Sequence, residues 1–326
     1  MNDFTLLVLP GAFPSSVALA LDILSAGATL APSVGCAVPR WRVLATAPSI
    51  ALRHGLRLDA KVLSARPKPD DSIWIVPGLG LETPRAVARR FTEPDALRAI
   101  AALRAHARAG GTVAAACSGV FLLQAAGLLA GKRVTTSWWL APLLGQLEPR
   151  CVVDADRMVI ADGSIVTAGA ALAQTELMLH LLRERFSPAL AEAVARALLI
   201  DARQSQGQFV VPAMLANGNA LVARLVARYE AALADPPSVA ALAAELGMSE
   251  RTLSRHVRAA TGRSTSALLQ GVRLSKARAL LETSRLTVEQ IAERVGYVDT
   301  TALRRLMRKV MGATPRQFRP ASAHGA

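Results

Sequence analysis

Cys117 occupies a position where a chain can present a reactive thiol. It lies in AACSG (residues 115–119), which follows an apolar predicted strand and opens a predicted helix. Small neighbours permit the sharp strand-to-helix bend of a nucleophile elbow, and a helix N-terminus lowers the pKa of a thiol. The turn at 76–80 follows another predicted strand and could place backbone N–H groups nearby. The same pattern fits an unreactive buried thiol at a crowded bend, and these residues do not decide between the two.

A second chemical signal is an arginine pattern that occurs twice near the C-terminus. LAAELG at 242–247 matches IAERVG at 291–296, and each copy has a small residue followed four positions later by glycine. That is the spacing of a helix-turn-helix. The helix after each glycine carries three arginines on its predicted outward face: Arg251, Arg255 and Arg258, then Arg304, Arg305 and Arg308.

Arginine hydrogen-bonds guanine in the major groove and neutralises phosphates. One helix-turn-helix pattern is also typical of plain helical bundles, but two copies about 50 residues apart favour two DNA-reading helices. The segment 273–282 places Leu274, Ala277 and Leu281 on one face and is predicted to be a rigid helix between the two copies.

Charge and composition agree with a nucleic-acid partner. The chain of 326 residues has a net charge of +14. Residues 216–326 hold 17 Lys and Arg against 8 Asp and Glu, so the last third carries most of the excess. Aromatic residues make up only 4%, which argues against base-stacking platforms. Three scattered cysteines and the absence of a CxxC pair argue against a disulfide framework, a zinc site or another metal site.

The first 200 residues predict an α/β domain. Helical patterns alternate with short apolar runs, as expected for a mostly parallel sheet that is buried on both faces. The predicted strands are Thr5–Leu9, Val43–Ala45, Ile73–Val76, Val113–Ala116 and Ile165–Thr167, and the predicted helices are Val17–Ala26, Pro94–Ala109, Val120–Ala130 and Gln174–Arg185.

From Leu221 onward the chain is predicted to be helical, without a strand-forming run. The uncharged segment between the two parts contains Gly207, Pro212 and Gly218 and is the predicted linker. The uncharged stretch 109–131 imitates a membrane span, but its glycines and polar residues divide it into a strand and a helix. A span needs about 20 predominantly apolar residues in one helix, so no membrane partner is expected.

The C-terminal motifs resemble the AraC/XylS family of transcription regulators. The similarity rests on SVAALAAELGMSERTLSRHVRAATG, RLSKARALLETS, VEQIAERVGY and GATPRQFR, and covers about 100 residues. The resemblance implies two helix-turn-helix units and, by position, base contacts from Arg251, Ser254, Arg255, Thr301 and Arg305. Arg304 and Arg308 would then contact phosphates. Leu303 and Met307 replace the phenylalanines usual in the family, which affects packing detail more than the DNA role.

The N-terminal motifs resemble the PfpI-type, glutamine-amidotransferase-like domain. LVLPGAFPSSVALALDIL, IVPGLG, AAACSGVFLLQAAGLLAGKRVTTSWW and IVTAGAALAQTELMLHLL carry the similarity over residues 3–200. Together the two parts resemble the GlxA-like subgroup of AraC-type regulators. The resemblance implies a flavodoxin-like, class I amidotransferase-like sheet sandwiched by helices, followed by an all-α domain. The expected boundaries are 1–204 for the first domain, 205–219 for the linker and 220–322 for the DNA-binding domain.

Active members of the wider superfamily set an acid or a histidine beside the cysteine, because a thiol needs a base or a cation to react at neutral pH. Here 13–16 reads FPSS, and Ser137 stands where relatives commonly have histidine. We therefore expect a retired catalytic pocket that binds a small molecule without a cofactor. Its expected lining is Ser15, Ser16, Gly78, Cys117, Ser118, Ser137 and Trp138, with core packing as the alternative role for the tryptophan.

These observations predict a cytoplasmic, sequence-specific transcription regulator controlled by a small metabolite, and not an enzyme. Its expected partners are double-stranded DNA at an operator, an unknown effector, a second copy in a homodimer and, for an activator, RNA polymerase. The first alternative is a cysteine-dependent hydrolase or amidotransferase that uses Cys117. The second is a general nucleic-acid packaging protein that binds by charge alone and shows no sequence preference once salt is raised.

Overall fold

The chain forms two compact units, Met1–Gln206 and Gly207–Ala326. The computed structural model describes residues 2–64, 70–81, 83–201, 206, 219–311 and 313–319. The division falls inside the segment predicted as a linker, most of which lies outside the described residues. The exact domain boundaries therefore stay a prediction.

A seven-stranded sheet forms the centre of the first unit. Its order is β10-β11-β7-β6-β1-β2-β5, where neighbouring strands are parallel except for the antiparallel pair at the β10 edge. Two smaller sheets pair β3 with β4 and β8 with β9. The strands are β1 (Phe4–Val8), β2 (Trp41–Ala45), β3 (Ser49–Ala51), β4 (Arg57–Asp59), β5 (Lys61–Val62), β6 (Ile73–Val76), β7 (Val113–Ala116), β8 (Arg133–Val134), β9 (Val152–Val153), β10 (Val159–Asp162) and β11 (Ile165–Ala168).

Helices cover this sheet because its central strands have no polar face. Every residue of β1, β7 and β11 is buried, which requires apolar cover on both sides. One group of helices consists of α1, α6 and α7 in mutual contact; in the other, α4 contacts α3 and α5. The helices are α1 (Pro14–Leu30), α2 (Pro84–Arg90), α3 (Pro94–Arg108), α4 (Val120–Ala125), α5 (Ala141–Leu147), α6 (Gln174–Arg185) and α7 (Pro188–Ala197). The predicted α/β class is confirmed.

One described segment, Pro14–Val34, is long and apolar enough to cross a membrane by length and composition. It comprises α1 and the turn after it, and α1 buries Val17, Ile23 and Leu24 in the core of the first unit. A core helix of a globular domain has the same length and composition. The stretch 109–131 does divide as predicted, into β7 and α4.

The described residues of the second unit form helices joined by short turns, and none of them lies in a strand. Its central helix, α11, buries Leu274, Ala277 and Leu281, the face predicted from the sequence. The helices in chain order are α8 (Ala220–Glu230), α9 (Val239–Glu245), α10 (Glu250–Thr261), α11 (Thr265–Thr283), α12 (Val288–Arg294) and α13 (Thr300–Met311), followed by a short 3-10 turn, Pro315–Phe318. The predicted all-α C-terminal part with two helix-turn-helix units is confirmed.

Two details differ from the sequence prediction. The helix predicted over Val120–Ala130 ends at Ala125, because Gly127 adopts a left-handed backbone with φ of 72°. The sheet also ends in an antiparallel strand, β10, which is partly exposed and so lacks the continuous apolar run of a central strand.

His106 on α3 is a titratable group inside the first unit. Its ring stacks on Trp74 with centroids 4.8 Å apart, and only 2% of the residue is exposed. Burial lowers the pKa of His106, and the charge of Asp70 offsets this only in part. The unfolded chain therefore takes up this proton first as the pH falls below about 6.5.

We expect the free energy of unfolding to fall between pH 7 and pH 5, by at most about 1.4 kcal/mol per pH unit for each such histidine. His106→Phe keeps an aromatic ring on Trp74 and should flatten this slope. The check is urea denaturation followed by tryptophan fluorescence, since all four tryptophans lie in the first unit. His256→Gln, at an exposed position, is the control. An unchanged slope in His106→Phe contradicts the assignment.

Candidate functional site

The backbone at Cys117 forms the predicted elbow. The strand β7 ends at Ala116, Cys117 has a left-handed φ of 54°, and a 3-10 turn leads into α4. A non-glycine residue in this region costs of order 1–3 kcal/mol and persists only where its surroundings hold it. The thiol is 1% exposed. The elbow geometry is therefore present around a cysteine that is shielded from water.

Two glycines let the elbow close against the end of β6. A Cβ at Gly119 would lie 2.7 Å from the carbonyl oxygen of Pro77 and 2.8 Å from that of Val76. A Cβ at Gly78 would lie 3.2 Å from the Cβ of Cys117 and 3.4 Å from the hydroxyl of Ser16. These distances bring Ser16, Gly78 and Cys117 together.

Ser137 is a polar neighbour of the thiol. Its Oγ lies 3.0 Å from the Sγ of Cys117, and both groups are buried. Backbone bonds hold the cysteine in place: its N–H donates to the carbonyl of Gly169 at 2.7 Å, and its carbonyl accepts from the hydroxyl of Thr136 at 2.8 Å. A serine hydroxyl is neither a cation nor a strong base at neutral pH, so this neighbour does not activate a thiol.

The other predicted pocket serines differ in what they can offer. Ser15 is exposed on the first turn of α1, and Ser16 is buried with its hydroxyl 3.5 Å from the carbonyl of Ala171. The hydroxyl oxygen of Ser118 accepts from the backbone N–H groups of Leu79 at 3.1 Å and Leu81 at 3.3 Å. One N–H group of the 76–80 turn, that of Leu79, is thus bonded to Ser118.

Trp138 is 4% exposed, and its ring meets that of Trp139 edge to face with centroids 5.0 Å apart. Its burial fits the core-packing alternative as well as a pocket wall. A pair of this geometry contributes about 0.5–1.5 kcal/mol beyond the area it buries.

The structure adds Arg53, which sequence reasoning missed. It lies in the turn between β3 and β4, and its guanidinium stacks over the ring of Phe13 at 5.3 Å and donates to the carbonyl of Gly80. Its backbone N–H donates to Ala12 at 3.1 Å. A half-buried cation is thereby held where the chain leaves β1 and β6. No motif marks this residue, because a small hairpin far along the chain brings it there.

The first helix-turn-helix unit consists of α9 and α10. Gly247 makes the turn with φ of 69°, and the hydroxyl of Ser249 caps α10 by accepting from the N–H of Thr252 at 3.2 Å. Leu253 and Val257 are buried beneath α10. Its three arginines are exposed on the other face: Arg251, Arg255 and Arg258.

Ser254 differs from these arginines. It is half-buried at the edge of the packed face, and its Oγ lies 3.5 Å from the hydroxyl of Thr265 on α11. The structure therefore places it between the reading face and the core.

The second helix-turn-helix, formed by α12 and α13, repeats the arrangement of the first. Gly296 makes the turn with φ of 74°, and Asp299 caps α13 by accepting from the N–H of Thr301 at 2.7 Å. Bonds to Thr301, together with the nearby charge of Arg305, lower the pKa of Asp299. Leu303 and Met307 are buried. The predicted contacts of this helix are all exposed: Thr301, Arg304, Arg305 and Arg308. Arg304 also pairs with Glu289 of α12 at 3.2 Å.

Arg273 of α11 binds the turn of the second helix-turn-helix to the central helix, a role that sequence reasoning missed. Its Nε donates to the carbonyl of Val295 at 2.7 Å, its Nη2 donates to that of Gly296, and the guanidinium stacks 4.1 Å over the ring of Tyr297. A Cβ at Gly296 would lie 2.5 Å from the carbonyl oxygen of Leu233. The turn therefore needs glycine for space as well as for conformation.

Comparison with known proteins places both units in families. Residues 242–321 match the helix-turn-helix domain family, and residues 54–184 match the DJ-1/PfpI family. The HTH-type transcriptional regulator GbdR of Pseudomonas aeruginosa is 26% identical over 86% of this chain and 74% of its own length. The regulator CdhR of the same species is 26% identical over 98% of this chain and 91% of its own.

Among solved structures, an AraC family transcriptional regulator from Pseudomonas putida aligns with a TM-score of 0.51 and 22% identity. The alignment covers 61% of this chain and 100% of that one. At this identity the likeness supports the fold alone.

Fold and sites together define a two-domain helix-turn-helix regulator, in which a DJ-1/PfpI-type α/β domain precedes a helical DNA-binding domain. Each part of the chain matches the family that its motifs suggested, and the chain is similar over most of its length to HTH-type transcriptional regulators. The resemblance inferred from its motifs is confirmed.

The close approach at the elbow predicts a strong response to one methyl group. Gly119→Ala sets a Cβ against two backbone carbonyls that cannot rotate away, and should lower the stability of the first unit by about 1–3 kcal/mol. Gly145→Ala is the matched control: it lies on α5, where an added Cβ would approach no closer than 4.0 Å to Val153. It should be neutral or stabilise by up to about 1 kcal/mol. Urea titration of tryptophan fluorescence measures both, and equal effects would refute this account of the elbow.

Proposed function

We propose that this protein regulates transcription by reading an operator through α10 and α13, under the control of a small molecule bound near Cys117. The observation that carries the DNA role is the repetition of one arrangement. In both helix-turn-helix units, three exposed arginines lie opposite a buried apolar face, on a helix that follows a glycine turn and has a capped N-terminus. A bundle without a polyanion partner gives no reason to repeat that exposed face.

Individual contacts follow from exposure and pairing. Arg251, Arg255 and Arg305 are exposed on the reading faces, which suits bidentate contacts with guanine. Arg258, Arg304 and Arg308 suit phosphates, and the pairing of Arg304 with Glu289 orients it. Thr301 lies in the first turn of α13, where side chains of a recognition helix reach bases. Ser254, at the packed edge, would contribute less to base contacts than its neighbours on α10.

We propose that the first unit binds its effector without turning it over. The support is chemical: the thiol is buried, and Ser137 and Ser16 offer hydroxyl groups where an active site needs a base. The hydroxyl of Ser118 already accepts from the N–H groups of Leu79 and Leu81. A cysteine hydrolase or amidotransferase remains the alternative function.

Three further elements of the proposal concern its setting. A regulator of bacterial promoters works in the cytoplasm, where its DNA lies. A homodimer would double the number of reading helices and match a two-fold operator. Contact with RNA polymerase would be required if the protein activates transcription.

Truncation of one reading arginine tests the DNA interface. Arg255→Ala and Arg305→Ala should each weaken binding by about 1–3 kcal/mol and relax base preference at one position. Arg308→Ala should weaken binding evenly across sequences and reduce the salt slope by about 1. The duplex is selected from a random pool by the wild-type chain, and affinity is measured by fluorescence anisotropy over a range of salt.

Arg224→Ala on α8 is the matched control, since it removes an exposed arginine outside the two helix-turn-helix units. If Arg255→Ala binds the duplex as tightly as the wild-type chain, α10 is not part of the DNA interface. A packaging protein would instead select no sequence from the pool.

A thermal-shift screen of amino acids, other carboxylates and quaternary amines tests the sensor role. A compound present at 100 times its Kd should stabilise the fold by about 2.7 kcal/mol. Cys117→Ser should keep this response, because the two side chains are nearly isosteric and the proposed site performs no covalent step. If the wild-type chain consumes the compound and Cys117→Ser does not, the enzyme alternative is correct.

A further inference from the structure

Gln206 is the last residue of the first unit, and its side chain is buried inside that unit. Only 1% of the residue is exposed, although it lies within the segment predicted as the linker. Its backbone N–H donates to the carbonyl of Asp156 at 2.7 Å. A glutamine at a domain boundary ordinarily stays in water, since burying an amide costs free energy unless its hydrogen bonds are replaced.

Here they are replaced from three separate segments. The side-chain Oε1 accepts from the N–H of Ala170 at 2.8 Å. The Nε2 lies 3.0 Å from the carbonyl oxygens of both Thr136 and Arg157, and within 3.3 Å of two further oxygens, from Thr135 and Ala155. One amide thus joins the segments 135–136, 155–157 and 169–170, which we call the Gln206 seat.

The seat is shaped for this side chain. A Cβ at Gly169 would lie 2.1 Å from the side-chain carbonyl carbon of Gln206, so glycine leaves the space that the amide fills. Gly169 does not have a left-handed φ, so its backbone would accept alanine. The space taken by Gln206 therefore explains this glycine.

Two of the three segments also hold the elbow. Gly169 accepts the N–H of Cys117, and the hydroxyl of Thr136 donates to the carbonyl of Cys117. Ser137, next in the chain, has its hydroxyl against the thiol. A group that displaces Ser137 or Cys117 must therefore strain the same backbone that binds the amide of Gln206.

We propose that Gln206 anchors the start of the linker to the Cys117 site, so that occupation of that site and release of Gln206 are coupled. Because unit two begins at the next residue, release changes how the DNA-binding domain is tethered. This inference rests on the proposed sensor role and supplies its means of control. The coupling is reciprocal: whatever favours release favours occupation of the site, by the same factor.

Limited proteolysis of the full chain measures release. Arg203 is the trypsin site nearest to Gln206 in the sequence. Cleavage after it tracks the population in which the anchor is open. Gln206→Ala should cleave on the order of tenfold faster, since it removes the buried hydrogen bonds. Gly169→Ala should cleave faster by a similar factor although the linker is untouched, because its methyl occupies the space of the amide.

The double variant sharpens the test. Once the amide is gone, the methyl of Gly169→Ala has nothing to displace, so the double variant should match either single variant instead of multiplying the effects. Gln208→Ala makes the same change two residues further on and is the control. Multiplied effects in the double variant, or equal acceleration by Gln208→Ala, would overturn the seat. Unchanged cleavage in both single variants would also overturn it.

Alkylation with iodoacetamide tests the coupling itself. Modification of Cys117, followed by peptide mass spectrometry, should be at least about fivefold faster in Gln206→Ala. Alkylated wild-type chain should in turn be cleaved faster after Arg203. If alkylation of Cys117 leaves cleavage unchanged, the coupling is absent. Neither readout uses DNA or an effector, so failure here leaves the proposed regulator standing, and failure of the Arg255 or thermal-shift tests leaves the anchor standing.

Discussion

The backbone hydrogen bonds at Cys117 determine how the first unit is built. A left-handed residue at the end of a buried strand has a free-energy cost, and it persists because Gly169 and Thr136 bind its N–H and carbonyl on either side. Gly119 must lack a side chain so that the helix after the cysteine can approach the end of β6. In a hydrolase this strain would present a nucleophile. Here the same strain presents a buried thiol with serine neighbours, and the structure retains the geometry without an activating group among those neighbours.

The second unit depends on a comparable constraint. The turn at Gly296 fits between α11 and the carbonyl of Leu233, and Arg273 binds the end of α12 through two backbone oxygens. A guanidinium suits this position because its planar donors engage two carbonyls while its face covers Tyr297. The guanidinium of Arg273 holds the second helix-turn-helix against α11, and α10 of the first helix-turn-helix also packs on α11. A rigid spacing of two readers is what successive major grooves require.

Sequence reasoning reached the elements whose signals are local. The apolar runs of β1, β6, β7 and β11 required a covered parallel sheet, and the arginine repeat required two helices with their apolar faces inward. It also brought Ser16, Gly78, Cys117 and Ser137 to one place. It did not find Arg53, Arg273 or Gln206, because each acts on backbone groups far away in the chain and belongs to no periodic pattern. It overextended α4 past Gly127 for a related reason: alanine and leucine continue a helical pattern that one left-handed glycine ends.

A regulator of this kind needs an element with two discrete arrangements, since a ligand shifts an equilibrium only by its differential affinity for the two states. A flexible linker alone cannot supply such an element, because its conformations form a continuum. A single amide held by several hydrogen bonds in a space that only glycine leaves open is discrete, since partial withdrawal abandons its bonds without regaining water. Its seat shares Gly169 and Thr136 with the elbow, so a small displacement at the thiol need not travel through the sheet. In the proposed coupling, two hydrogen bonds connect the Cys117 site with the Gln206 seat, and both of them already hold the strained backbone of Cys117.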